Sequence, residues 1–259
     1  MQIQSFRREN IGYWTKRAAG YSAVNQEELA TGQRMVWGDA LNALIAEHFG
    51  DRPPTSLNVL DIGTGPGFFA ILLARAGFAV TALDCTEAML GEARKNAGDA
   101  AEKIQFLCGN AEEPPLADAC FDVIVTRNLT WNLQQPEKAY AEWLRILKPS
   151  SGLLLNFDAN WYRFLYDDEA KNGHCEDRKN VARHNAADDT AGTDVEAMEA
   201  LAKKAPLSQK LRPDWDIHTL TKLGASVTAD TEIWRKVWTR DEWINNASTP
   251  MFLIRAVKR

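Results

Sequence analysis

The chain has 259 residues, of which 45% are hydrophobic and 25% charged, and its formal net charge at pH 7 is −5. A nucleic-acid partner would need a basic face, and Lys and Arg occur here only in short groups, so a nucleic-acid substrate is disfavoured. The chain has no apolar run of about 18 residues, no apolar core in its first ten residues and no Cys-x-x-Cys pairing, which predicts a cytoplasmic protein without a membrane partner.

Residues 1–50 are predicted to form an N-terminal helical cap. Apolar residues recur at helical spacing from Val36 to Phe49. Tyr13, Trp14 and Tyr21 precede them, and two interpretations of these aromatic rings stay open. They either anchor the cap to the core or cover a ligand, and covering is favoured for Tyr21.

A glycine-rich segment follows and is the most informative part of the sequence. The apolar run 57–60 leads into Asp61, Gly63, Thr64, Gly65 and Gly67, and helix-forming residues begin at Phe68. This order predicts a strand, a tight turn and a helix N-terminus, where free backbone N–H groups face a nucleotide-like ligand.

A second strand is predicted from Phe78 to Leu83, and it ends in an acid. Asp84 lies 21 residues past Gly63, where a carboxylate can accept both hydroxyl hydrogens of a ribose. The glycine spacing is one residue shorter than the Gly-x-Gly-x-x-Gly of dinucleotide-binding proteins. An NAD(P)-dependent oxidoreductase is therefore disfavoured, although it remains an alternative.

Three more strands and a helix are predicted before residue 158. The strands are Ile104–Cys108, Phe121–Val125 and Leu153–Phe157, and the helix spans Pro136–Leu147. Polar residues follow the first two strands, with Gly-Asn-Ala-Glu at 109–112 and Thr-Arg-Asn-Leu at 126–129.

These segments together resemble the class I S-adenosylmethionine-dependent methyltransferases of the ubiquinone/menaquinone type. The similarity rests on Asp-x-Gly-x-Gly-x-Gly at 61–67, Gly-Asn-Ala-Glu, Lys-Pro-Ser-Ser-Gly at 148–152 and Tyr-Trp-x-x-Arg-Ala-x-x-Tyr at 13–21. It is close over residues 57–158. It implies an α/β fold with a Rossmann-like seven-stranded, mostly parallel sheet, a final antiparallel hairpin, helices on both faces and helical lid segments.

The resemblance also implies the cofactor, S-adenosyl-L-methionine, and how it is bound. The glycine loop would face the amino-acid part of the cofactor, Asp84 the ribose and Asn110 the adenine amine. The cofactor-binding residues expected on this basis are Tyr13, Tyr21, Asp61, Gly63, Thr64, Gly65, Gly67, Asp84, Cys85, Met89, Asn110, Ala111, Glu112 and Arg127.

Residues 159–213 form an insertion that is too long for a plain loop, and we expect it to be a partly helical lid over the substrate. Helical periodicity is clearest around Val195–Lys204. Trp131, Trp161 and Tyr162 are the expected substrate-binding residues. His174, Cys175 and His184 match no familiar ligand spacing, so no metal site is predicted.

Residues 214–259 are expected to complete the sheet around the core of residues 51–158. The pattern predicts a helix over 215–223, a long strand over 225–238 and a last strand over 251–258. The expected function is in-line transfer of a methyl group to a small-molecule acceptor by a monomer or homodimer, with no catalytic residue identifiable. A protein that binds the cofactor without turnover, as a sensor or regulatory subunit, is the other alternative.

Overall fold

A seven-stranded sheet forms the centre of the molecule in the computed structural model, which describes residues 2–259 and side chains from residue 5 onward. Its strand order is β3-β2-β1-β4-β5-β7-β6. The strands are β1 (Asn58–Ile62), β2 (Ala79–Asp84), β3 (Ile104–Cys108), β4 (Val123–Arg127), β5 (Leu153–Asp158), β6 (Ala225–Asp230) and β7 (Phe252–Lys258). Strands β1 to β5 are parallel, whereas β7 pairs antiparallel with both β5 and β6. The predicted mostly parallel sheet with a final antiparallel hairpin is confirmed.

Helices surround the sheet, and two of them precede it in the chain. The helices are α1 (Gln2–Ala30), α2 (Gln33–Phe49), α3 (Phe68–Arg75), α4 (Glu87–Ala97), α5 (Pro136–Ile146), α6 (Asp168–His184), α7 (Val195–Ala202), α8 (Asp214–Lys222), α9 (Trp234–Val237) and α10 (Arg240–Asn246). Among the described residues no helix is long and apolar enough to cross a bilayer.

The core lies on both faces of the central strands, because helices cover each face and the strands carry near-continuous apolar runs. On one face Trp37 of α2 packs against Phe69 and Phe157, with ring centroids 5.1 and 5.3 Å apart. On the other face Tyr140 and Trp143 of α5 are fully buried.

The predicted strand over 225–238 is wrong beyond Asp230. The Asp230 carboxylate accepts the backbone N–H of Glu232 at 2.8 Å, and this turn ends the strand. Residues Trp234–Val237 then form α9, where Trp234 stacks on Trp243 of α10 with centroids 4.3 Å apart. Tryptophan favours strands, but packing against a second helix decided the conformation here.

The insertion of residues 159–213 contains two helices, α6 and α7, and is fixed at both ends. Asp177 on α6 accepts from the Ser248 backbone and hydroxyl, and Arg178 donates to Asn245. At its start, Asn160 exchanges hydrogen bonds with the backbone of Arg212 at 2.7 and 3.0 Å. The insertion is therefore an ordered layer that continues the fold.

Candidate active site

Two adjoining cavities lie at the carboxyl ends of the parallel strands, underneath helix α1. The loop-side cavity is lined by Trp14, Tyr21, Asn25, Asp61, Gly63, Thr64, Gly65, Phe68, Phe69, Met89, Arg127, Asn128, Leu129 and Asn132. The strand-side cavity is lined by Phe6, Arg7, Asn10, Ile11, Trp14, Gly63, Leu83, Asp84, Cys85, Asn110, Ala111, Glu112, Leu129, Asn132, Leu133 and Gln134. Ligands of open parallel sheets bind in this position.

The glycine loop forms the floor that the two cavities share. Gly63, Gly65 and Gly67 have φ angles of 72°, 53° and 92°, which are left-handed conformations that glycine adopts without strain. The backbone N–H groups of Gly63 and Thr64 both donate to Leu83 O, at 2.8 and 2.9 Å. The N–H of Gly67 donates to Thr64 O. The expectation of free loop amides is therefore wrong at these positions, because the turn uses them to hold itself against β2.

Asp61, the last acid before the glycines, is buried and fastens the loop to α3. Its Oδ2 accepts from Thr64 Oγ1 at 2.6 Å and from the Ala70 backbone at 2.9 Å. Burial raises the pKa of the Asp61 carboxyl from 3.8 to about 6, although both hydrogen bonds act to lower it. Asp61 thus holds the loop and also presents a carboxyl to the cavity.

Asp84 lies at the tip of β2, as the sequence predicted, and it is 8% exposed. Its Oδ2 accepts from the Gly65 backbone at 3.0 Å, and its Oδ1 accepts from the Thr86 backbone and hydroxyl. Burial raises the pKa of Asp84, and these hydrogen bonds oppose the shift. Next to it, burial raises the pKa of the Cys85 thiol to about 12, so that thiol is neutral.

The residues after β3 form the far wall of the strand-side cavity. Asn110 Oδ1 accepts from the Glu112 backbone at 3.1 Å, and Ala111 O accepts from Trp143 Nε1 at 2.8 Å. Glu112 Oε1 accepts from the backbones of Gln134 and Gln135, at 2.6 and 2.9 Å, just before α5 begins. Glu112 therefore fixes the loop that carries this wall.

Arg127, at the carboxyl end of β4, is paired with an acid that the sequence did not suggest. Its Nη1 and Nη2 donate to Glu28 Oε1 and Oε2 of α1 at 2.7 and 2.9 Å. The guanidinium also lies over the rings of Phe68 and Phe69, 4.7 and 5.3 Å from their centroids. Burial acts to lower the pKa of Arg127, but the charge and hydrogen bonds of Glu28 outweigh it and raise that pKa, so the guanidinium stays protonated. A cation at the cavity wall is thereby tied to the helix above it.

Most of the predicted site residues lie around the two cavities. The loop-side cavity is lined by Tyr21, Asp61, Gly63, Thr64, Gly65, Met89 and Arg127, and the strand-side cavity by Asp84, Cys85, Asn110, Ala111 and Glu112. The residues that lie outside both linings are Tyr13, Gly67, Trp131, Trp161 and Tyr162.

Those five residues pack behind the cavities. Gly67 caps α3, where an added Cβ would lie 3.0 Å from Ala93 Cβ. Trp131 and Tyr162 pack with ring centroids 4.7 Å apart, in a cluster with Met198 of α7. Tyr13 and Trp161 pack against the same cluster. These four aromatic residues join α1 and the turn after β4 to the insertion.

The core resembles a known family in sequence as well as in geometry. Residues 60–155 match the family model described as a methyltransferase domain. This stretch runs from β1 into β5 and includes both carboxylates of the cavity floor. Over these residues the chain is similar to methyltransferase domains.

Relatives of the methyltransferase domain differ in the atom that they methylate. A ubiquinone/menaquinone biosynthesis C-methyltransferase of Roseobacter denitrificans is 31% identical over 148 residues, covering 56% of this chain and 56% of that protein. A malonyl-[acyl-carrier protein] O-methyltransferase of Pectobacterium atrosepticum is 32% identical over 150 residues, covering 58% and 53%. The chain spans about half the length of the curated relatives it matches.

Solved structures extend the likeness to nearly the whole chain. An S-adenosyl-L-methionine-dependent methyltransferase of Methanococcus maripaludis superposes with a TM-score of 0.57 at 22% identity, covering 94% of this chain and 93% of that one. At this identity the likeness shows that the fold is shared.

Helix α1 contributes site residues that the sequence reasoning missed. Phe6, Asn10 and Asn25 line a cavity and were not expected from the sequence, and Glu28 pairs with Arg127. They lie on α1 together with Trp14 and Tyr21, for which the sequence had already suggested a covering role. Their spacings of three, four and seven residues place them along one face of a helix. That spacing could have indicated one helix face directed at a site. This face mixes apolar, amide and acidic side chains, however, so a search for apolar periodicity does not detect it.

The histidines of the insertion lie outside both cavity linings. His174 stacks on Phe164 with ring centroids 4.0 Å apart, and His184 lies in the last turn of α6. Across residues 2–259, no group of three or more His, Cys, Asp or Glu side chains is placed to hold a metal ion.

Proposed function

We propose that this protein transfers the methyl group of S-adenosylmethionine to a small-molecule acceptor. One observation carries this proposal. The residues that match a methyltransferase domain also line a two-part cavity at the carboxyl ends of β1 to β4. One part adjoins the glycine loop and the other the tips of β2 and β3. A ligand with an amino-acid end and a nucleoside end suits this division.

The residues present fit the cofactor at both ends. Asp84, at the tip of β2, would accept the ribose hydroxyls, and Asn110 and Ala111 would contact the adenine. Tyr21 would close over the amino-acid end, since a Cβ at Gly65 would lie 3.6 Å from its ring. When bound, S-adenosylmethionine supplies a sulfonium-activated methyl group.

The contribution of the chain is to hold the acceptor close to that methyl and to exclude water. Helix α1 forms the cover, and the insertion packs against it. Arg17 Nη2 donates to Thr193 Oγ1 at 2.8 Å, Lys204 pairs with Glu9, and Phe6 packs on Leu201 and Ala205. These contacts fasten α1 in its place over the cavities.

The test is cofactor binding followed by turnover. Isothermal titration is expected to show tight binding of S-adenosylmethionine and of S-adenosylhomocysteine, and weak or no binding of NAD. Incubation with a metabolite extract should then produce S-adenosylhomocysteine together with one methylated compound, identified by mass. Tight binding of NAD, or cofactor binding without turnover on extracts of several bacteria, would overturn the proposal.

A further inference from the structure

The turn after β4 carries two carboxamide oxygens that have no proton donor. Asn128 Oδ1 and Asn132 Oδ1 are buried, line the loop-side cavity and have no hydrogen-bond partner within residues 2–259. Asn132 is 4% exposed, and its Nδ2 donates to Asn10 Oδ1 of α1 at 3.0 Å. That bond leaves the oxygen as the free end of the amide. A buried oxygen without a donor is costly, so these two indicate a ligand that brings N–H or O–H groups.

The backbone of the turn is held firmly, which limits where the two side chains can lie. Asn128 adopts a left-handed conformation with φ 58°, and its backbone N–H donates to Phe157 O at 2.8 Å. Trp131 Nε1 donates to Asn128 O at 2.9 Å, and the Trp131 backbone donates to Asp158 Oδ2 at 3.0 Å. A fixed acceptor can select a ligand by its geometry, because it does not turn away to find another partner.

Asn132 also lies at the junction of the two cavities. Four residues line both of them: Trp14, Gly63, Leu129 and Asn132. In S-adenosylmethionine the sulfur joins the methionine part to the ribose part, so a cofactor bound across both cavities would bring its methyl group to this junction. Leu129 packs down on Gly63, where an added Cβ would lie 2.7 Å from Leu129 Cδ2. Trp14 and Asn132 are left to face an acceptor.

The charge around the junction favours an acceptor that can carry a positive charge. The charged side chains lining the two cavities are Asp61, Asp84, Glu112, Arg7 and Arg127. Arg127 is already neutralised by Glu28. The remaining excess of carboxylates disfavours an anionic group, whereas an indole face attracts a cation.

We propose that Asn132 and Trp14 form the subsite for a small primary or secondary amine, which makes this protein an N-methyltransferase. This rests on the proposed function. Asn132 Oδ1 accepts an N–H of the amine and thereby aims its lone pair. The amine first loses its proton to solvent, and the neutral nitrogen then forms the new N–C bond as the S–C bond breaks, with the electrons of that bond returning to sulfur. The positive charge passes to the product ammonium, which the carboxylates and the indole face stabilise.

The test compares a panel of small primary and secondary amines, including ethanolamine, benzylamine and histamine, with alcohols of the same skeletons. S-adenosylhomocysteine formation is the readout. At least one amine should exceed its alcohol about tenfold or more in kcat/KM. An enzyme that binds S-adenosylmethionine but methylates only oxygen or carbon overturns this inference and leaves the proposed function standing. Failure to bind S-adenosylmethionine would overturn both this inference and the proposed function.

Variants of Asn132 separate recognition from folding. Asn132→Leu should raise the KM for the amine about tenfold and lower kcat as well, because the lone pair is no longer aimed, while the Kd for S-adenosylmethionine stays within about twofold. Asn132→Asp keeps an acceptor oxygen and should retain a KM close to that of the wild type. Asn42→Leu, at an exposed position on α2, is the control for the substitution itself. Equal losses in Asn132→Leu and Asn132→Asp, or a cofactor Kd raised as much as the KM, would show that Asn132 does not recognise the amine.

Discussion

Two buried carboxylates, Asp61 and Asp84, determine the shape of the site at the level of single residues. Each accepts backbone N–H groups from the glycine loop or from the residues next to it. The loop therefore depends on the same side chains that we expect to contact the cofactor. Substitutions at these positions need readouts that separate binding from folding.

Removing the Asp84 carboxylate should weaken cofactor binding. Loss of charge-assisted hydrogen bonds typically costs about 1.5–3 kcal/mol, so Asp84→Ala should raise the Kd for S-adenosylmethionine roughly ten- to a hundredfold. Titration calorimetry measures the change, and thermal unfolding shows whether the fold persists. Asp99→Ala, an exposed acid between α4 and β3, should leave the Kd unchanged. A folded Asp84→Ala protein with wild-type affinity would remove Asp84 from the ribose site.

Asp61 should make the ligand-free protein less stable as the pH rises. Its folded pKa of about 6 exceeds the ordinary 3.8, so between these values the folded state retains a proton that the unfolded state has lost. The free energy of unfolding therefore falls from pH 4 to pH 6, by up to about 3 kcal/mol from this group alone.

The Asp61→Asn variant isolates that contribution. Denaturant unfolding of both proteins at several pH values gives the wild-type minus variant difference, which should fall by about 1–3 kcal/mol between pH 4 and 6.5 and then level off. A flat difference curve across this range would mean that the Asp61 carboxyl titrates at its ordinary pKa.

At the scale of elements, helix α1 is tied to the strand below it by one ion pair. Glu28 and Arg127 have side chains 14% and 12% exposed, and Asn25 also donates to Glu28 at 2.8 Å. Because the pair is largely shielded from water, removing one partner costs more than breaking a surface salt bridge does. It holds the segment of α1 that carries Tyr21 over the glycine loop.

Loosening this tie should speed the release of the cofactor. Glu28→Gln removes one charge from a bidentate pair, and we expect a loss of about 1.5–3 kcal/mol in stability and an off-rate for S-adenosylhomocysteine about tenfold higher. Stopped-flow dissociation measures the rate. Glu27→Gln, the exposed neighbour on the same helix, is the matched control. Equal off-rates in the two variants would show that the ion pair does not restrain α1.

At the scale of the whole molecule, a buried polar network joins the insertion to the sheet. Arg212, at the end of the insertion, donates to Asp158 of β5 at 2.8 Å and to both oxygens of Asp216 on α8 at 2.9 Å. Tyr140 of α5 donates to Asp216, and Asn156 of β5 donates to Tyr140 Oη. Three sequence regions meet here without access to water, so each member depends on the others.

Breaking the network should destabilise the whole fold. Arg212→Met leaves two buried carboxylates without their cation, which typically costs about 3–5 kcal/mol and here would lower the Tm by about 6–20 °C. Calorimetry or thermal circular dichroism measures the shift. Lys95→Met breaks the exposed pair with Glu92 and should change stability by less than about 0.5 kcal/mol. Similar shifts in both variants would argue against a cooperative role for the buried network.

The sequence by itself determined the central part of this molecule. Strands β1 to β5, the glycine turn and the position of Asp84 all follow from local patterns, because a parallel strand buried on both faces needs an apolar run and a left-handed turn needs glycine. It also indicated most residues of the cavity floor. These features could be predicted because each of them depends on residues that are close together in the chain.

Only the tertiary structure decided which contacts hold α1 over the two cavities. Arg127 meets Glu28 across 99 positions of the chain and Asn132 meets Asn10 across 122, and neither pairing has a local pattern. The end of β6 at Asp230 and the packing of Trp234 against α10 were likewise decided by neighbours brought in by folding. Contacts between distant segments depend on which faces of the helices and strands pack together. Local patterns in a single sequence do not determine that packing.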